Sequence, residues 1–173
     1  NGGAYAEYAA APEEGLELKP VNVTFEQAAA VPTAGYITLF NLPVDRLGPG
    51  RRVLVNGAAG GVGALALQLA RAHGARVTGV DHTGKLDLLR ELGADHVIDY
   101  TRDDFTRGGE RYDLIVDIPG NHPFAACRQV LAPDGRYVLI GHDGFGRTGH
   151  RWLGSLPQFA RLGMLSLFNR QLR

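Results

Sequence analysis

One stretch of the sequence has the residue types and spacing of a phosphate-binding loop. Asn56-Gly57-Ala58-Ala59-Gly60-Gly61-Val62-Gly63 follows a short apolar segment and opens a helical one. Glycines let the backbone turn sharply and come close to an anion, while free amides and the positive end of a helix dipole supply the potential a pyrophosphate needs. The loop departs from the dinucleotide fingerprint at its first position, where Ala58 stands, and keeps Gly60 and Gly63 at the required spacing. Asp81 lies 21 positions beyond Gly60, at the end of the next apolar segment, where an acid commonly accepts hydrogen bonds from the adenosine ribose. The pattern predicts a bound dinucleotide, with Ala59, Gly60, Gly61 and Val62 around its pyrophosphate.

Competing chemistries lack a residue they need. Gly79-Val80-Asp81-His82-Thr83-Gly84-Lys85-Leu86 has the glycine and lysine spacing of a triphosphate-binding loop, but Leu86 replaces the hydroxyl residue that would bind magnesium. Gly79 also falls inside a strand. The two serines, Ser155 and Ser166, are outside any G-x-S-x-G elbow. Cys127 falls within a helical segment and reads as a buried structural thiol. The six histidines, His73, His82, His96, His122, His142 and His150, form no pair with metal-ligand spacing, so no metal site is expected.

The elements that must position the loop follow from its surroundings. Arg52 to Asn56 reads as a strand and Gly61 to His73 as a helix with Val62, Leu65, Ala66, Leu69, Ala70 and His73 on one face. Arg76 to Asp81, His96 to Asp99, Tyr112 to Ile118 and Arg136 to Ile140 read as further strands, with Met164 to Phe168 as a sixth. Helices fall at Lys85 to Leu92 and Pro123 to Leu131, and Pro133-Asp134-Gly135 is a turn. Gly74 and Gly93 are placed to end the first two helices in the left-handed conformation. Strands alternating with helices at this spacing predict an α/β fold, a doubly wound parallel Rossmann sheet over residues 46–173. Ligands of such sheets lie beyond the carboxyl ends of the strands, which brings Ile118, Pro119, Gly120, Asn121, Gly141 and His142 beside the ribose and nicotinamide.

Residues 1–45 read differently. Residues 4 to 10 and 16 to 21 look like strands of an incomplete sheet, and Thr24-Phe25-Glu26-Gln27 has the spacing of a capping box. A helix then runs to Pro32, and a second helical stretch to about Leu42. The first residues have neither the basic nor the apolar region of a signal peptide, and the chain reads as one entered in the middle.

Composition narrows the classes further. Glycine supplies 24 of 173 residues, about 14 per cent against roughly 7 per cent usual. With 18 basic and 18 acidic side chains, the chain has no basic stripe to track nucleic acid. The most apolar stretch, Ala28 to Leu42, is too short and too interrupted to span a membrane. A single cysteine suits a reducing compartment, and a cytoplasmic location is expected.

The runs Gly3 to Tyr8, Ala28 to Gly35, Val53 to Gly63 and Gly93 to Tyr100 resemble the medium-chain dehydrogenase/reductase superfamily, in its zinc-free quinone oxidoreductase and enoyl reductase branch. The resemblance accounts for Ala58, since that branch carries its own version of the dinucleotide loop. It also places Ala34 where zinc alcohol dehydrogenases have a metal-binding cysteine, so no catalytic zinc is expected. It implies a GroES-like substrate lobe, of which residues 1–45 are a remnant with linking helices. The implied reaction is hydride transfer from NAD(P)H to a quinone or to the β-carbon of an α,β-unsaturated carbonyl.

Thr33 and Thr38 are candidates to touch the nicotinamide or its ribose, with helix cap and helix-surface roles as the plainer alternatives. Tyr36 reads more as a packed aromatic than as a proton donor, and no catalytic residue is designated. Cofactor choice stays open: Asp81 favours NAD, whereas Lys85 and Tyr100 resemble positions facing the 2′-phosphate of NADPH and His82 could assist, so the resemblance leans to NADP(H). An apolar edge strand at Met164 to Phe168 predicts a homodimer. Two other functions remain in view, a nicotinamide-binding module without turnover and an alcohol dehydrogenase of the same superfamily.

Overall fold

The computed structural model describes residues 6–141, 163, 164, 166, 171 and 172. Its centre is a five-stranded sheet. The strands are β1 (Arg52–Asn56), β2 (Arg76–Asp81), β3 (His96–Asp99), β4 (Tyr112–Asp117) and β5 (Leu131–Leu139). They lie in the order β3-β2-β1-β4-β5, every pair parallel. The order reverses direction at β1, so the crevice between the ends of β1 and β4 is where such a sheet binds its ligand.

Both faces of the sheet are covered, which is why its strands are nearly continuous apolar runs. Side chains alternate between the faces. Val53 and Val55 of β1, Val77, Leu114 and Val116 join one core with Ala66, Leu67 and Ala70 of helix α2 (Gly61–Ala72) and Leu89 of α3 (Leu86–Glu91). Leu54, Val80 and Ile115 join the other core with Phe105, Tyr137 and Cys127, the last from α4 (Phe124–Gln129). Each fully buried aliphatic side chain contributes about 1.5–3 kcal/mol. Gly74 and Gly93 follow α2 and α3 at φ +83° and +97°, as expected.

Several expectations are corrected. The buried stripe of α2 is Gly63, Ala66, Leu67 and Ala70, so the helix is rotated relative to the expected face and His73 is exposed. Residues 6 to 10 and 16 to 21 form no strands: only a 3-10 turn, Glu13–Gly15, interrupts coil and bends, and Tyr8, Leu18 and Val21 are almost wholly exposed. A strand needs a partner ladder, and among the described residues none pairs with them.

Pro32 does not divide the following helix. α1 (Phe25–Asn41) is continuous through it, with the expected capping box intact at Thr24 and Gln27. Packing of its second half on α2 outweighs the lost backbone bond at Pro32. The helix expected from Lys85 is preceded by a 3-10 turn, Thr83–Lys85. The Pro133-Asp134-Gly135 turn is absorbed into β5 as an irregularity of register, Tyr112 pairing with Leu131 but Leu114 with Arg136.

The sixth strand is also corrected. Gly163, Met164 and Ser166 are helical, so the strand expected over Met164 to Phe168 is not formed at the described positions. The homodimer reading loses the edge on which it was based. Beside β5 lies instead a parallel bridge between Tyr137 and Leu172, with the Tyr137 N–H donating to the Gln171 carbonyl at 2.6 Å. Leu172 is buried in the second core. No helix among the described residues is long and apolar enough to cross a membrane.

Candidate dinucleotide-binding site

β1 delivers Asn56 to the carboxyl end of the sheet, and the glycine loop turns from there into α2. The amides of Gly57 and Ala58 donate to the Val80 carbonyl at 3.0 and 3.1 Å, which fastens the loop to the end of β2. Gly60 N–H donates back to the Gly57 carbonyl at 3.2 Å, and Ala59 N–H donates to Asp81 Oδ2 at 2.9 Å. Gly57 adopts φ +78°, a conformation that a side chain would strain. A Cβ on Gly63 would stand 2.2 Å from the Gly57 carbonyl oxygen, so only glycine lets the first turn of α2 sit on the loop.

Internal bonds thus engage the amides of Ala59 and Gly60. Those of Gly61, Val62 and Gly63, in the first turn of a 12-residue helix, have no partner among the described residues. Three free amides at the positive end of a helix dipole fit an anion such as a pyrophosphate.

On one side of the loop lie Asp81 and its neighbours. Asp81 is buried, and besides Ala59 N–H it accepts from His82 N–H at 2.8 Å. Lys85 Nζ stands 3.7 Å from Oδ1 and is half exposed. Tyr100 lies edge-on to His82 at 6.0 Å and is also half exposed. Asp99 closes this end of the sheet, accepting from the Thr83 hydroxyl and, at 2.7 and 2.9 Å, from the Thr101 hydroxyl and amide. The Thr83 hydroxyl, with further help from Thr101 and Arg102, holds its carboxyl down to about 2. A cavity of about 370 Å³ opens between this end and the loop after β4, lined by Tyr100, Thr101, Asn121 and His122 among others.

On the other side stand Ile118, Pro119, Gly120 and Asn121. The Ile118 N–H donates to the Asn56 carbonyl at 3.2 Å, and Pro119 packs over Gly57. Gly141 runs so close to Ile118 that a Cβ on it would stand 2.5 Å from the Ile118 carbonyl oxygen. His142 lies outside the described residues. Thr38 is buried between α1 and α2, its hydroxyl 2.8 Å from the Ala34 carbonyl and 3.2 Å from that of Val62. It docks α1 on the first turn of α2. Thr33 lies five residues earlier in α1, and a Cβ on Gly61 would stand 3.5 Å from that of Ala34.

Tyr36 is not a packed aromatic: it is 69 % exposed and stacks on Phe40 with ring centroids 5.9 Å apart. Cys127 is fully buried, and burial, reinforced by the Asp117 charge, pushes its thiol up to about 12.

Three residues of this region were not singled out by sequence. Asn56, Asp117 and Tyr137 meet at the base of the crevice, with Tyr137 OH donating to Asp117 Oδ2 at 2.7 Å. A polar residue following each of two apolar cores, Val53 to Val55 and Leu114 to Val116, was the available signal for Asn56 and Asp117.

A family profile described as zinc-binding dehydrogenase matches residues 61–160. The chain is 42% identical over 140 residues to the tomato (Solanum lycopersicum) 2-methylene-furan-3-one reductase, covering 80% of this chain and 36% of that protein. The chloroplastic NADPH-dependent alkenal/one oxidoreductase of Arabidopsis thaliana matches with the same identity and the same coverage. Among solved structures, the quinone oxidoreductase of Thermus thermophilus, known also in complex with NADPH, superposes with a TM-score of 0.69 at 32% identity, covering 78% of this chain and 46% of that one. The chain thus spans about a third to a half of the length of these relatives. It belongs to the zinc-binding dehydrogenase family, in the quinone oxidoreductase and enone reductase branch of the medium-chain dehydrogenase/reductase superfamily.

Proposed function

We propose that the full-length protein transfers a hydride from NADPH to a quinone or to the β-carbon of an α,β-unsaturated carbonyl, without zinc. The observation that carries the reading is the first turn of α2, whose amides at Gly61, Val62 and Gly63 have no partner among the described residues and open on the crevice between β1 and β4. These amides would hold the pyrophosphate, and Ile118 to Asn121 would flank the ribose and nicotinamide. The dihydronicotinamide supplies the hydride when bound. The chain's part is to bind it, orient it and keep water away from the exchange.

NADPH is favoured by the state of Asp81. Both of its oxygens accept backbone amides and Lys85 stands beside it, so its charge is compensated and turned into the loop. Lys85, His82 and Tyr100, grouped beside it, would then serve a 2′-phosphate as hydrogen-bond donors. The names of the relatives, alkenal and enone reductases and quinone oxidoreductases, support the choice of acceptor.

The test is oxidation of NADPH, followed at its absorbance band, with a quinone and a 2-alkenal as acceptors and the full-length protein as catalyst. Acceptor-dependent oxidation is expected. Tight NADPH binding with no oxidation across both acceptor classes would make the protein a binding module instead.

A further inference from the structure

The second wall of the crevice is held by a polar cluster that phosphate binding does not use. Asp117, at the end of β4, is fully buried and accepts three hydrogen bonds: from Asn56 Nδ2 at 2.9 Å, from Gly120 N–H at 2.9 Å and from Tyr137 OH at 2.7 Å. Asn56, its register partner on β1, is buried too. The same Asn56 amide nitrogen lies 3.1 Å from Asn121 Oδ1. A carboxamide has two N–H donors that diverge, and here each has a different acceptor.

The carboxylate also decides which way the carboxamide faces. Both Asp117 oxygens already accept, from Gly120 N–H and Tyr137 OH, so turning the Asn56 oxygen toward them would set acceptors against each other in a buried site. The amide nitrogen is therefore aimed at the carboxylate, and its second hydrogen reaches Asn121. His122 Nδ1, 2.9 Å from Asn121 Oδ1, supports the same oxygen from the outer side. Segment 118–121 is thus tied at Gly120 and Asn121, while Pro119 rests on Gly57 of the phosphate loop.

We propose that Asn56 is a positioning residue whose carboxamide, aimed by Asp117, fixes Asn121 and so sets the ribose and nicotinamide wall of the crevice relative to the glycine loop. This rests on the dinucleotide reading above. The adenine end of the crevice, built from Asp81, Lys85 and Tyr100, does not depend on this tie.

The discriminating variant is Asn56→Ser in the full-length protein. A serine hydroxyl is one bond shorter than the carboxamide and carries a single hydrogen, so it cannot bridge Asp117 and Asn121. NADPH affinity is expected to fall about tenfold, the scale of one lost hydrogen bond, with the affinity for 2′,5′-ADP, which carries only the adenine half, within twofold of the parent. Tyr137→Phe, which removes the donor on the opposite oxygen, should lower the urea midpoint and leave the ratio of the two affinities unchanged.

Equal losses for NADPH and 2′,5′-ADP in Asn56→Ser, or no loss, would overturn the positioning role. Should the parent protein bind neither ligand, the dinucleotide reading itself fails, and amide hydrogen exchange decides the tie. In Asn56→Ser, exchange over 118–122 should quicken about tenfold while β2 is unaffected. Unchanged exchange there would overturn the proposal.

Discussion

Two carboxylates close the strands on either side of β1, and they are used in different ways. Asp81 ends β2 and binds backbone: its oxygens take the amides of Ala59 and His82, with Lys85 at 3.7 Å. Asp117 ends β4 and binds mainly side chains: Asn56 and Tyr137, together with the Gly120 amide, and among the described residues no cation pairs with it. The first carboxylate fastens the glycine loop through its backbone, and Lys85 stands beside it. The second is fully buried, and three donors converge on it to satisfy its oxygens. One end of the crevice is therefore adaptable and solvent-facing, and the other is built to hold a fixed geometry.

The contrast can be broken most directly by truncation. Asp117→Ala leaves three donors unsatisfied in the core and is expected to cost about 3 kcal/mol in urea unfolding, whereas Asp81→Ala should cost about 1 kcal/mol. Equal losses would erase the distinction. At the adaptable end, Lys85→Ala is expected to weaken NADPH binding about tenfold and leave NADH binding unchanged, read by titrating each cofactor. Parallel losses for both would remove Lys85 from the 2′-phosphate.

The smallest expected effect is a pH dependence beside the same end. The Asp99 carboxyl is held down to about 2, below the ordinary 3.8, chiefly by the Thr83 hydroxyl. A lowered acid stabilises the fold while ionised, so its contribution is present above about pH 4 and is lost as the pH falls toward 2. Urea midpoints across that interval should fall less steeply in Thr83→Ala, whose Asp99 titrates closer to the ordinary range. An identical profile in the variant would show that another group carries the transition.

The difference between the ends also explains what could be read in advance. β1, β2 and β3 fall on the expected residues because each is a short, mostly apolar run bounded by charged or polar residues, and Gly60, Gly63 and Asp81 follow from local spacing. The Asn56–Asp117–Tyr137 cluster was not legible. Its members are separated by 61 and 20 positions and meet only through the parallel register of three strands.

Local cues also misled where tertiary contacts rule. Pro32 reads as a break but sits in a helix anchored on α2 by Thr38, and the alternating residues 16 to 21 have no described ladder to join. In the loop itself, the Ala59 and Gly60 amides have internal partners, while those of Gly61, Val62 and Gly63 have none among the described residues.

Tyr137 belongs to two structures at once. Its backbone N–H is held by the Gln171 carbonyl at the outer edge of the sheet, and its hydroxyl is held by Asp117 beneath the crevice. Both attachments belong to one residue of β5, so the outer margin of the sheet and the buried carboxylate beneath the crevice share a common anchor.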